Sequence, residues 1–483
     1  MHKLVTIGDS LTQGFTSGSV YRTDRSYPHM IASALRAESF SQPRFDNDEG
    51  KTGGFPFNIE VLLHKLALTY PDGIPFNSFP RMIMDTNSQL DAVEQFWEKD
   101  IYDQNRCHHN LAILSYTLQE SYRLSSRLCR EETASPRDNW LLFCQMPEKP
   151  MYRAAMHTLA SSDRALTQLD RVKELAEDGG IENLIIFLGA NNCLGAIIEL
   201  SIKLSEESDL YKHPHKRRCN LWLPSHFRQC LDFMASSIRP LNIENVFIAT
   251  VPHVTIPPIS RGTPPQSKSG KYYDYYTRPW IWDSSFLPWL HPSLKRKDVA
   301  LIDEFIDYYN NSIKTVAYSM GWHVVDFCET LNTIAFRRKK GDVSFTWPSE
   351  AVEALSRNAL TSYLVKNGTP SVDTRYIRLD KNSTAQKRTI CCGGLFSLDA
   401  VHPTTFMYGI IAEMFLKSMR DAGVKNCDGS SPSLDWDRIV SNDSLLTNPP
   451  LLLNDLRSII SRLSGKLHGQ IFFKLLECFK SNF

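Results

Sequence analysis

Residues 1–15 read MHKLVTIGDSLTQGF, and this stretch decides how the rest of the chain is interpreted. Apolar side chains at positions 4, 5 and 7 lead directly into Gly8, Asp9 and Ser10. A short apolar run without polar alternation predicts a β-strand that is buried on both faces of a sheet. The run is too short for the apolar part of a secretory signal, so no cleavable signal is expected. Ser10 is therefore either an ordinary turn residue or a functional residue displayed at the end of a strand.

Further apolar runs and helical patterns alternate along the chain. Four more runs resemble the first one and lie at residues 111–114, 184–188, 246–251 and 323–327. Apolar residues at helical spacing occupy residues 27–36, 166–176, 225–238, 299–320 and 404–420. Strands that alternate with helices predict a doubly wound α/β fold, here with a five-stranded parallel sheet.

The spacing of the runs is uneven, and this predicts insertions. The gaps are longer than a crossover between parallel strands needs. We expect one domain over residues 1–425, with helical and loop insertions at about 50–105 and 260–395. Residues 426–483 are predicted to form a C-terminal helical extension. Its last part, residues 451–483, mixes apolar and basic side chains, which predicts a helix packed on its own domain, with peripheral membrane contact as the alternative.

The composition is that of a globular protein. The chain has 483 residues, 42% of them hydrophobic, and a formal net charge of +1. A charge so close to neutral argues against a nucleic-acid partner. Eleven cysteines are scattered without the spacing of a metal site, and no apolar run is long enough to span a bilayer. These features predict a cytoplasmic protein with reduced thiols and no metal or organic cofactor.

Chemically useful residues follow the predicted strands. Ligands of open parallel sheets bind outside the carboxyl ends of the strands. The residues expected at that edge are a serine, amide donors, an aspartate and histidines, at positions Ser10, Ser115, Asn191, His253, Asp399 and His402. Acyl transfer by a serine nucleophile needs a hydroxyl, a base, a carboxylate that orients the base, and donors for the oxyanion.

Three short motifs in this set resemble the SGNH, or GDSL, hydrolase superfamily of esterases and lipases. Gly8-Asp9-Ser10-Leu11 resembles its first block, Gly189-Ala190-Asn191 its third, and Asp399-Ala400-Val401-His402 its last, in the order of the family. The resemblance covers the sheet framework and these motifs, and it does not extend to the insertions or the tail. It implies a flavodoxin-like three-layer α/β/α fold.

The resemblance also implies roles for individual residues. Ser10 would be the nucleophile, and Asp399 and His402 would complete the catalytic triad. The oxyanion hole would consist of the backbone N–H of Ser10, the amide of Asn191 and the backbone N–H of Ser115. Further contacts to the substrate are expected from Asp9, Gly189, Asn192 and His253.

Two positions depart from the family. Ser115 stands where the second block usually has glycine, and Asn192 stands where the third block often has aspartate. A serine still offers its backbone N–H, but its side chain limits how closely a substrate can approach.

The sequence thus predicts a serine hydrolase that cleaves carboxylic esters of a small molecule, lipid or carbohydrate through an acyl-serine. An O-acyltransferase with the same triad is the first alternative, since sequence does not determine which acceptor takes the acyl group. A non-catalytic ligand-binding member of the fold is the second. The oligomeric state is left open.

Overall fold

The computed structural model describes most of the chain. The described residues are 1–45, 53–71, 73–75, 107–134, 149–159, 164–266, 271–336, 345–384, 386–426 and 428–455, with scattered positions from 78 to 97. Much of the predicted insertion at 50–105, and residues 456–483 of the predicted terminal helix, lie outside them.

Fourteen strands occur in the described residues. In chain order they are β1 Val5–Gly8, β2 Phe15–Thr16, β3 Ser19–Val20, β4 Phe55–Pro56, β5 Ile181–Phe187, β6 Ile243–Ala249, β7 Arg261–Gln266, β8 Tyr273–Thr277, β9 Leu294–Lys295, β10 His323–Val325, β11 Val365–Lys366, β12 Thr369–Pro370, β13 Arg378–Leu379 and β14 Ile390–Cys392.

Fifteen α-helices have both of their ends within the described residues. They are α1 Ser10–Gln13, α2 Tyr27–Ala34, α3 Ile59–Thr69, α4 Glu120–Arg123, α5 Ser126–Thr133, α6 Pro150–Leu159, α7 Gln168–Glu177, α8 Asn191–Glu199, α9 Pro224–Ile238, α10 Arg296–Met320, α11 Phe327–Ile334, α12 Ser349–Arg357, α13 Thr405–Asp421, α14 Trp436–Asn442 and α15 Ser444–Thr447. Single 3₁₀ turns lie at Thr23–Arg25, Glu207–Leu210, Pro214–Lys216, Asp283–Ser285 and Ser362–Leu364.

The central sheet is parallel and has the order β1-β5-β6-β10. Alternate side chains of its strands enter two different hydrophobic cores. Strand β5 illustrates this, because Leu184 and Ile186 belong to the core with α7, α9 and α10, whereas Ile185 and Phe187 belong to the core with α2 and α13. A parallel sheet buried on both faces by helices is the predicted α/β fold. The five predicted helices are confirmed to within three residues at each end.

The prediction of five strands in the central sheet is wrong, since the central sheet of the described residues has four. Residues 111–114 run alongside β1. The one bridge to this part of the described chain pairs Thr6 with Asn110, directly before these residues, and it is isolated and parallel. The N–H groups of Leu111 and Ile113 donate to the carbonyl oxygens of Thr6 and Gly8, and side chains make further hydrogen bonds to this segment. Gln168 Nε2 donates to the carbonyl oxygens of Gly8 and Leu111, and Gln13 Oε1 accepts from the N–H of Leu114.

The predicted insertion at 260–395 is interrupted by the central fold, since α10 and β10 lie within it. The remaining pieces form small antiparallel sheets, β7-β8-β9, β11-β12 and β13-β14. At the C-terminal side, Trp436 of α14 packs near Phe406 and against Gly409 of α13. The domain boundary near residue 425 stays a prediction.

One buried amide ties α10 to the end of β6. Asn310 Oδ1 accepts from the N–H of Val251 at 2.7 Å, and Asn310 Nδ2 donates to the carbonyl oxygen of Val251 at 2.9 Å. Val251 lies two residues beyond β6, so this bridge sets how that strand end leaves the sheet.

We predict that Asn310→Ala lowers the free energy of unfolding by about 2–4 kcal/mol, because it leaves a buried N–H and a buried carbonyl without their partner. Denaturant unfolding measures this change. The control is Asn311→Ala on the exposed side of the same helix, which should change stability by about 0.5 kcal/mol or less. Equal effects of the two substitutions would contradict the assigned bridge.

Candidate active site

Ser10 is presented by a very short helix at the end of β1. Asp9 caps α1, because its Oδ1 accepts from the N–H of Leu11 at 3.0 Å. Gly14 ends the helix with φ 89°. Gly8 has no room for a side chain, since a Cβ there would lie 2.0 Å from Thr12 Oγ1. The strand therefore turns into the helix within one residue, and Ser10 becomes its first residue.

Ser10, His402 and Asp399 form a hydrogen-bonded chain. His402 Nε2 lies 2.9 Å from Ser10 Oγ, and His402 Nδ1 lies 3.1 Å from Asp399 Oδ2. All three side chains are buried. The exposed fraction is 7% for Ser10, 4% for His402 and 1% for Asp399. Ser10 and His402 are 392 positions apart in the chain, so only the fold brings them together. This is the order of contacts that a serine nucleophile, a base and an orienting carboxylate require.

Asp399 is held ionised by its surroundings. Its Oδ1 accepts from the backbone N–H groups of Val401 and His402, and its Oδ2 also accepts from the N–H of Gly18 at 2.9 Å. Burial alone would raise the pKa of Asp399, but the charge of His402 and these hydrogen bonds outweigh it, so the pKa lies below its usual value. A charged carboxylate next to His402 Nδ1 favours a proton on that nitrogen and leaves Nε2 facing Ser10.

Sequence reasoning missed the hairpin that supplies Gly18. Strands β2 and β3 are joined by Ser17 and Gly18, which have φ 51° and 91°. Two successive positive φ angles are typical of a two-residue hairpin turn, and the Ser-Gly pair between Phe15-Thr16 and Ser19-Val20 is the signal that could have identified it. The ring of Phe15 also lies 4.4 Å from that of His402, between centroids.

The predicted oxyanion donors meet at one small cavity. Ser10, Ser115 and Asn191 line it together with Phe15, Leu114, Leu194, Ile198, Val401 and His402, and its volume is about 10 Å³. Among the described residues, none accepts a hydrogen bond from the backbone N–H of Ser10 or of Ser115. These two donors are therefore available for an oxygen atom in the cavity.

Asn191 and Asn192 connect the predicted second and third blocks. Asn191 Nδ2 donates to the carbonyl oxygen of Tyr116 at 2.9 Å and to Asp9 Oδ2 at 3.3 Å. Asn192 Oδ1 accepts from the N–H of Leu118 at 3.1 Å. Both asparagines begin α8, so the first turn of this helix holds the segment that follows Ser115.

Gly189 and His253 occupy different surroundings. A Cβ at Gly189 would lie 2.6 Å from Val251 Cγ2, so glycine allows this close packing. His253 Nε2 lies 3.0 Å from Asp307 Oδ1, and its Nδ1 lies 2.9 Å from Asn332 Oδ1. Burial lowers the pKa of His253, but the hydrogen bond to Asp307, the contact with Cys328 and the charge of Asp303 together outweigh it and raise that pKa to about 10. Neither residue lines the cavity beside Ser10, and their predicted contact with substrate stays a prediction.

The remaining sequence expectations concern metals, thiols and membranes. His213 and His215 are exposed. The described residues contain no cluster of three His, Cys, Asp or Glu side chains that could hold a metal ion, and their eight cysteines are all free thiols. Within the described part of the chain, none of the helices combines the length and the hydropathy that crossing a bilayer requires.

No known family model matches the chain, and no curated protein matches it either. The membership in the SGNH superfamily stays a prediction that rests on the motifs and on the geometry of their residues.

Ser115 adopts a backbone conformation that favours glycine, with φ 63°. A left-handed conformation costs a residue with a Cβ roughly 1–2 kcal/mol. We predict that Ser115→Gly raises the free energy of unfolding by about 1 kcal/mol, as measured by denaturant unfolding. The same substitution at Ser236, an exposed residue inside α9, should instead lower it by about 1 kcal/mol. A loss of stability in Ser115→Gly would contradict the idea that the left-handed backbone is the main cost at this position.

Asp9 is the second carboxylate of the site, and its ionisation is unfavourable. Burial raises the pKa of Asp9 to about 7, although the Leu11 N–H and the charge of His402 act in the opposite direction. The unfolded chain releases this proton near pH 4, while the folded chain keeps it up to about pH 7. The unfolded state therefore binds fewer protons over this range, and folding stability falls as the pH rises.

We predict that Asp9→Asn removes this fall in folding stability with rising pH. As the pH rises from about 5 to about 8.5, the free energy of unfolding of the variant should increase relative to that of the parent by on the order of 3 kcal/mol. This follows from roughly 1.36 kcal/mol for each unit of pKa shift. Denaturant unfolding of both proteins at the two pH values measures it. A difference in stability that does not change with pH would contradict the assigned burial of an ionisable Asp9.

Proposed function

We propose that this protein is a serine hydrolase of the SGNH type that cleaves carboxylic esters. The hydrogen-bonded chain from Asp399 through His402 to Ser10 is the single observation that carries the proposal. A buried serine, 2.9 Å from an imidazole that a carboxylate orients, is the arrangement by which hydroxyl groups become nucleophiles.

The first step is acylation. His402 Nε2 takes the proton of Ser10 Oγ as this oxygen attacks the ester carbonyl. The tetrahedral oxyanion accepts from the N–H groups of Ser10 and Ser115. Asn191 Nδ2 is the third donor, and it reaches the oxyanion by giving up its contact with Asp9, which at 3.3 Å is the longer of its two hydrogen bonds. His402 then protonates the departing alcohol, and Ser10 carries the acyl group.

The second step is hydrolysis of the acyl-serine. His402 removes a proton from water, the hydroxide attacks the acyl carbonyl, and the same donors bind the second oxyanion. Collapse returns the proton to Ser10 Oγ and releases the acid. These residues perform both steps without a further reactive group. A cytoplasmic location and the choice among small-molecule, lipid and carbohydrate esters stay predictions.

The cavity beside Ser10 guides the choice of test substrate. Its volume of about 10 Å³ is near the minimum for one water molecule, and apolar side chains such as Leu194 and Ile198 line it. A short acyl group fits such a space with the least rearrangement, so p-nitrophenyl acetate is the first ester to use.

We predict that the full chain hydrolyses p-nitrophenyl acetate and is labelled covalently by a fluorophosphonate. Ser10→Ala should abolish both activities, because it removes the nucleophile. Asn191→Ala should lower kcat about 100- to 1000-fold, which is the usual effect of deleting one oxyanion donor. Ester hydrolysis and labelling on a gel measure these changes.

Ser236→Ala is the matched control, because this serine is exposed on α9, and it should keep full labelling and activity. Labelling that persists in Ser10→Ala would overturn the assignment of the nucleophile. A folded parent protein that reacts with neither reagent would favour the non-catalytic alternative.

A further inference from the structure

A second, larger cavity lies on the inserted segments. Its volume is about 260 Å³, and among the described residues it shares no lining residue with the cavity beside Ser10. Tyr273 and Tyr276 of β8 form one part of its wall, and Phe336 and Tyr376 contribute to the rest. Residues 272–289 are rich in tyrosine and tryptophan, and they contribute rings to this cavity as well as to the core.

The cavity wall is positively charged. It contains three arginines, Arg261, Arg375 and Arg378, and one carboxylate, Asp283. Arg375 forms a two-pronged ion pair with Asp373, and Arg261 pairs with Asp283.

Arg378 has no counter-ion among the described residues. Its Nε donates to Cys392 Sγ at 3.2 Å, and none of the carboxylates in the described part of the chain forms an ion pair with it. A half-buried guanidinium whose other N–H groups bind no protein carboxylate there is well suited to bind an anion, because its donors match two oxygen atoms of a carboxylate or phosphate.

Arg261 offers a second unused donor. Its terminal nitrogens contact Asp283 and the carbonyl oxygen of Ile281, but its buried Nε has no acceptor among the described residues. A buried donor without a partner is unfavourable, and a ligand oxygen would supply the missing acceptor.

The aromatic side chains provide flat surfaces beside these donors. Tyr273 and Tyr276 meet edge to face with their centroids 6.2 Å apart, and the guanidinium of Arg375 lies 3.9 Å from the centre of the Phe336 ring. Pockets that combine aromatic walls with a few fixed polar groups bind ring compounds and orient them.

The cavity is joined to the loop that carries the triad. Tyr376 Oη donates to the carbonyl oxygen of Leu398 at 3.0 Å. The N–H of Ile259, between two residues that line the cavity, donates to the carbonyl oxygen of Ala400 at 2.9 Å. Leu398 and Ala400 flank Asp399, so the walls of this cavity are fixed to the same loop as the catalytic carboxylate.

We propose that this cavity binds an anionic ligand that carries a ring, with the anion on Arg378 and Arg261 and the ring among the aromatic side chains. The triad chemistry needs neither the charge nor the rings of this cavity. The ligand site is separate from the cavity beside Ser10, because the two share no lining residue among the described ones.

Calorimetric titration of the full chain with phenyl phosphate tests the proposal, because this probe joins a dianion to a single ring. We expect saturable binding that weakens as salt is added, and binding of inorganic phosphate or of phenol at least about tenfold weaker. Arg378→Gln should weaken phenyl phosphate binding by about tenfold or more. Arg228→Gln is the control, because it removes an arginine that pairs with Asp232 on α9, and it should leave binding unchanged.

Two further variants make the result decisive. Trp282→Ala alters the aromatic wall without removing a charge, and it should also weaken binding. Ser10→Ala should bind phenyl phosphate as the parent protein does, which separates this site from the nucleophile. Absence of binding at about 10 mM probe, or equal affinity of the parent and Arg378→Gln, would overturn the proposal.

Discussion

The carboxylate of Asp399 is the constraint on which the site depends. It is 1% exposed, and a buried charge is tolerated only when hydrogen bonds and opposite charge surround it. Its donors come from two distant parts of the chain, the N–H of Gly18 in the first hairpin and the Val401 and His402 groups of its own turn. Satisfying this one group therefore fixes the N-terminal hairpin, the late loop and the imidazole relative to one another.

Further contacts make the same connection more rigid. Ser397 Oγ accepts from the N–H of Ser17, Thr16 Oγ1 donates to the carbonyl oxygen of Pro403, and Tyr408 Oη donates to that of Phe15. Ala400 lies inside this network with φ 65°, a strained angle for a residue with a side chain. Such strain persists where the surrounding structure determines the backbone, and it is common at functional sites.

The sequence predicted what depends on periodicity and on short motifs. The buried pattern of β1, the helices on both faces and the meeting of Ser10 with His402 all follow from apolar spacing and from residue types at strand ends. It did not predict the places where a side-chain amide, instead of a backbone group, forms the hydrogen bond to a backbone N–H or carbonyl oxygen. Gln13 and Gln168 look like ordinary polar residues in the sequence, yet their amides bind backbone groups of the segment beside β1. The cavity of the inserted segments was not predicted either, since its wall combines residues 255–283 with residues 335–392, which only the fold brings together.

The position of Ser115 shows how the fold can replace a glycine. Its neighbours are fixed by side chains, because Leu114 donates to Gln13, the Tyr116 carbonyl accepts from Asn191 and Leu118 donates to Asn192. With both ends of the turn held, the backbone at residue 115 stays left-handed although serine does not favour it. In the proposed mechanism this position supplies a backbone N–H to the oxyanion, and a held serine still offers that N–H. The departure from the usual glycine is thus compatible with the proposed oxyanion hole, and Asn192 acts on this turn by accepting the hydrogen bond of the Leu118 N–H.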